Sequence, residues 1–126
     1  MHDCQAARWP RDLKSMWIFT TLGFFSVVAH RDDESALLVR ARARGDLEAL
    51  RDRHLAGHDI LEWEGSDYRF RLVASRDDWA RVAGELGAGI DYANFKDAGA
   101  ERQGTSRARV YSRVWQTMFA LQDGAA

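Results

Sequence analysis

The sequence predicts an α+β fold: two successive ββα units forming a four-stranded antiparallel sheet, helices on one face of it, and an additional C-terminal helical segment. Three observations carry this. Residues 37–43 alternate, with Leu37, Val39, Ala41 and Ala43 on one side and Leu38, Arg40 and Arg42 on the other, the period of a half-buried strand. Leu47, Leu50 and Leu55 recur at helical spacing, as do Trp79, Val82 and Leu86 further on. Between the two helices, Gly65-Ser66-Asp67 separates two short β-rich runs, the pattern of a hairpin.

In chain order, residues 1–15 are polar, lack periodicity and hold Pro10, the only proline, so they are expected to be a loosely ordered extension. Trp17–His30 is aromatic and β-branched and is expected to be one strand, bent at Gly23. A polar turn, residues 31–34, leads into the alternating strand, whose polar side continues to Arg44. The first helix follows, with Asp46 as its expected N-cap and Gly57 as its stop. In the hairpin, Leu61 and Trp63 oppose Glu62 and Glu64, while Phe70, Leu72 and Ala74 oppose Arg69 and Arg71. Ser75 or Asp77 caps the second helix.

This order is that of a ferredoxin-like fold whose last strand has moved to the front. A third helix is expected over 91–103, with Tyr92, Phe95, Ala98 and Gly99 on one side, lying flat on the sheet's edge as a connector. Thr105 or Ser106 caps the last helix, in which Val110, Val114, Met118 and Leu121 lie beside Tyr111, Trp115 and Phe119. Two adjacent apolar rows predict contacts on more than one side: Trp115 in the core and part of the Phe119 row at an interface between two copies. Residues 16–122 are thus expected to be a single α+β domain, and 123–126 a tail.

Composition excludes several classes. Of 126 residues, 46% are hydrophobic and 29% charged, a globular balance. The net charge of −1 supplies no global pull toward nucleic acid, so any such role rests on a local patch. Cys4 is the only cysteine, which excludes an internal disulfide and fits a reducing cytoplasm. The apolar run at 17–29 is too short and too interrupted to span a membrane.

The segments MWIFTTLGFFSVV, DYANFK and RVYSRVWQTMFALQ resemble those of small bacterial proteins of unknown function that open with an MWxFTxxGFFS-like strand. That resemblance spans Met16–Gln122 and implies a start at Met16 and a bacterial cytoplasmic origin. It assigns no catalytic residue.

Three constellations are candidates for function. Arg40, Arg42, Arg44, Arg69 and Arg71 are expected on the uncovered sheet face, where Phe24 and His30 can add stacking for single-stranded nucleic acid. The competing expectation is that Glu62 and Glu64 neutralise Arg69 and Arg71 across the hairpin. Tyr92, Asn94 and Lys96 gather a hydroxyl, an amide and a cation, with Arg107 and Tyr111 facing them, as a small-ligand or enzyme site. His54 and His58 have metal-ligand spacing, but Gly57 ends their helix between them and no third ligand is evident, so no metal site is assigned. No motif specifies a chemistry. The expectation is a non-enzymatic cytoplasmic binding or adaptor protein, without a cofactor, acting on an unknown macromolecule and able to form a homodimer through its C-terminal helix.

Overall fold

The computed structural model describes residues 15–124. The expected single strand over 17–30 is two: β1, Met16–Thr20, and β2, Gly23–Ala29. The chain reverses at Thr21-Leu22, where the Leu22 N–H donates to Thr20 Oγ1 (3.0 Å). Gly23 leaves the turn at φ 155°, a conformation that a side chain disfavours. The stretch Thr20-Thr21-Leu22-Gly23 therefore makes a hairpin rather than a bend, and the sheet has five strands instead of four.

β3 (Ala36–Ala41) precedes helix α1 (Arg44–His54). A short β4 (Leu61–Glu62), β5 (Phe70–Ser75) and helix α2 (Arg76–Ala88) follow. The sheet is antiparallel, in the order β1-β2-β3-β5-β4. The register sets Val27 beside Val39 and Leu72, and Ser26 beside Arg40 and Arg71. Alternation does the rest. Phe25, Val27, Val39, Ala41, Leu72 and Ala74 form a buried face, on which α1 lays Leu47 and Leu50 and α2 lays Trp79 and Val82. The opposite face carries Ser26, Arg40 and Arg71.

Local chemistry positions both helices. Ser75 caps α2 as expected, its hydroxyl accepting from the Asp78 N–H (3.0 Å). Asp46 does not cap α1. The helix starts three residues earlier, after Ala43, and Asp46 is buried with its carboxylate accepting from the Phe24 N–H (3.0 Å). The first backbone amides of a β-hairpin outcompete the helix terminus for this carboxylate. Arg44 is consequently helical rather than a sheet residue.

Helices α3 (Phe95–Gln103) and α4 (Thr105–Phe119) complete the fold, followed by a 3-10 turn at Ala120–Asp123. The expected helix over 91–103 begins only at Phe95 because Asn94 caps it, accepting from the Asp97 N–H (3.1 Å). Gly104 (φ 91°) separates α3 from α4, and α4 begins without a side-chain cap, so neither Thr105 nor Ser106 caps it. Contacts divide the described chain into two compact units, 15–19 with 23–89, and 20–22 with 90–124. In the second, Ala98 and Gly99 present a small face to α4, and a Cβ on Gly99 would stand 3.9 Å from the Tyr111 ring. No helix among the described residues is long and apolar enough to cross a membrane.

Candidate functional site

In the first unit the sheet face opposite α1 and α2 brings cations onto aromatic rings. Arg40 of β3 and Arg42 just beyond its end both lie over one buried ring, Tyr68, with guanidinium carbons 4.4 and 4.3 Å from its centroid. Arg71 lies 4.5 Å from the centroid of Trp63. Neutral oxygens hold these groups. Arg40 donates to Ser26 Oγ (2.7 Å), Arg42 to the Asp67 carbonyl (3.1 Å), and Arg71 to Ser66 Oγ (2.7 Å) and the Tyr68 carbonyl (2.9 Å). Arg71 is only 8% exposed, and its buried Nε has no hydrogen-bond partner. Burial pushes its guanidinium below the usual arginine range, the charge of Arg40 adds to this, and Asp67 opposes it.

The expected neutralisation across the hairpin is concentrated on one residue. Arg69 takes both Glu62 (2.7 Å) and Glu64 (2.9 Å), leaving neither for Arg71. Leu61 is the residue opposite Arg71, while Trp63 donates its N–H to the Arg69 carbonyl, so the edge strand carries its carboxylates past Arg71. Arg44 leaves the cluster and pairs with Glu48 (3.2 Å). The expected stacking residues are also replaced. Phe24 is engaged by Phe19 (4.6 Å) and Trp17 (5.6 Å), and His30 accepts the Asp32 N–H within its own turn (3.1 Å). Tyr68 and Trp63 take the cations instead. Tyr68 directly before Arg69, and Trp63 eight residues before Arg71 across the hairpin turn, could have signalled this, but only the turn geometry aims them.

In the second unit Tyr92, Phe95 and Tyr111 form a run of rings, with centroids 5.9 and 5.5 Å apart. Arg107 donates to the Tyr111 hydroxyl (3.1 Å). Three of the five candidate ligand residues, Tyr92, Arg107 and Tyr111, are thus brought together. Asn94 is spent on the α3 cap, and Lys96 lies over Trp115, 4.4 Å from its centroid. Trp115 is 50% exposed and stacked on Phe119 (5.2 Å), which corrects its expected place in the core. The reason is length. Phe95 reaches Tyr111 and Lys96 reaches Trp115, so α3 has run out where the last turns of α4 continue. Met118, Phe119 and Leu121 are each exposed there, as is Val110 one turn before Val114.

The histidines do not converge. His54 Nδ1 meets Glu85 (2.8 Å), whereas His58 Nδ1 meets the Leu55 carbonyl (2.9 Å). No cluster of three metal-ligating side chains exists among the described residues. The His54 and Arg81 hydrogen bonds hold the Glu85 carboxyl below its ordinary range. Compared with protein-family models, with curated proteins and with solved structures, the chain matches none.

Proposed function

We propose that this chain is a non-enzymatic binding or adaptor protein of the bacterial cytoplasm that receives a partner's amphipathic helix on α4. The carrying observation is the exposed apolar set Val110, Trp115, Met118 and Phe119 on α4, continued by exposed Leu121 in the 3-10 turn that follows. At about 100° per residue the four helical positions share one side of α4, which α3 covers at Tyr111 and leaves open over the last turns. Exposed apolar groups scattered singly are ordinary, but Trp115, Met118, Phe119 and Leu121 together at one helix end make a docking surface.

Charge selects the partner. Helix α4 holds Arg107, Arg109 and Arg113 and no Asp or Glu. Arg113 borders this surface, Arg109 lies one turn before it, and both are exposed without a carboxylate partner among the described residues. A partner helix flanked by carboxylates satisfies these cations, whereas a second α4 would set them against like charges. Self-association through this face is therefore the disfavoured occupant. The first unit supports a finer fold reading as well: the order β2-β3-β5-β4 is that expected of a permuted ferredoxin-like sheet, with β1 added at one edge.

The test is titration of the full chain with two synthetic amphipathic helices, identical in their leucine faces but flanked by Glu in one and Lys in the other. The Glu peptide should bind, weaken with salt, and lose at least about tenfold in affinity for the Met118→Asp protein, whose melting temperature should be unchanged. Equal binding of both peptides, binding of neither, or a dimer in sedimentation that Met118→Asp dissolves would overturn the proposal.

A further inference from the structure

The arginines of the first unit fall into two groups with different chemistry. Along the helices and the hairpin edge, Arg44, Arg51, Arg69 and Arg81 each meet a carboxylate. On the sheet face opposite the helices, Arg42 and Arg71 donate to carbonyls and a hydroxyl and lie over aromatic rings, and Asp67 is the carboxylate whose charge reaches Arg71. Those neutral partners orient a guanidinium without cancelling its charge. The arrangement is costly, because Arg40 and Arg71 are direct cross-strand neighbours and like charges so placed repel. Glu62 and Glu64 are within a few residues and could have relieved it, yet both are committed to Arg69. Arg42, the exposed cation of this face, is held by a carbonyl and a ring with its charge intact and is complementary to an anion supplied from outside.

Aromatic groups define what kind of anion. Trp63 is 62% exposed at the β4 edge, and Trp17 is 54% exposed on β1 at the opposite edge, against Phe24 on the same face as Ser26 and Arg40. Four inter-strand steps separate the two edges, about 19 Å. A bare phosphate needs no exposed rings, and a duplex hides its bases from them. A strand of nucleotides presents phosphates and unstacked bases together, over this distance, in a run of about three or four.

We propose that the sheet face opposite the helices binds single-stranded nucleic acid, with Arg42 contacting phosphate, Trp63 and Trp17 stacking bases, and buried Arg71 fixing Trp63 from beneath. Arg71 is a positioning residue, since its own burial keeps it from the ligand. The surface is distinct from that of α4, and the inference does not rest on the α4 reading.

The experiment is fluorescence anisotropy of the full chain with short mixed-sequence RNA and DNA single strands, the matching duplexes, and inorganic phosphate as competitor, at low salt. Both single strands should bind more tightly than their duplexes, with phosphate displacing neither. Arg42→Ala should weaken binding about tenfold and lower the salt slope by about one. Trp63→Ala should weaken it about tenfold or more with the salt slope unchanged, which separates stacking from charge. Both positions are exposed, and circular dichroism confirms that each variant is folded. A stronger RNA than DNA response would assign 2′-hydroxyl contacts to the same face. No binding of either single strand, equal binding of duplexes, or unchanged affinity in Trp63→Ala overturns the proposal.

Discussion

Gly23 and Asp46 show how one residue pair can set the geometry of a hairpin. The Asp46 carboxylate reaches from α1 to the Phe24 amide, and the backbone at Gly23 passes so close that a Cβ there would collide with that carboxylate. The positive φ at Gly23 adds strain for any side chain. Gly23→Ala should therefore destabilise the protein by about 3 kcal/mol, measured by urea unfolding, from overpacking and backbone strain together. Wild-type stability in that variant would refute this account. The glycine itself was legible as a break in an apolar run. Its partner was not, because twenty-two residues separate them and nothing in a helical period announces that Asp46 turns inward. The same limit applies to Arg71. Alternation assigned it to the uncovered face, but its burial depends on Trp63 covering it from a neighbouring strand.

Between elements, α1 and α2 are joined at their surface by Glu85, which meets His54 from α1 and Arg81 from its own helix. Arg81 also donates to the His54 carbonyl (2.8 Å), closing a small network at the end of α1. Because Glu85 has a folded value below its ordinary one, its contribution is present above the ordinary glutamate range and is lost as pH falls through the depressed folded value. Glu85→Gln should lower the melting temperature at neutral pH, and the difference should vanish in acid once the wild-type carboxyl is protonated. A difference that persists unchanged in acid would mean that the charge is irrelevant. Element boundaries followed local chemistry where a cap was available, as at Ser75. They shifted where a residue with capping chemistry had another use, as at Asp46, or where an unconsidered cap was present, as at Asn94.

At the scale of the molecule, protection should follow pairing. β3 is hydrogen-bonded on both sides and holds Val39 fully buried, so its amides should exchange most slowly with deuterium. The two-residue edge strand β4 and the last turns of α4 should exchange first. Slow exchange at Met118 and Phe119 in the isolated protein would show that something covers them. The sequence alone determined the α+β class, the alternation of β3 and β5, and the stripes of α1 and α2, because each follows from a period of two or 3.6 residues in local side-chain polarity. It also determined that α4 carries two apolar rows. Only the tertiary structure decided that Tyr111 is buried while Trp115 and Phe119 of the same row are exposed, since that depends on how far α3 reaches along α4. It alone decided that Arg69 takes both glutamates and leaves Arg71 to Trp63, because that choice is made by distances across strands, and a periodicity records which face a residue joins but not which neighbour it meets there.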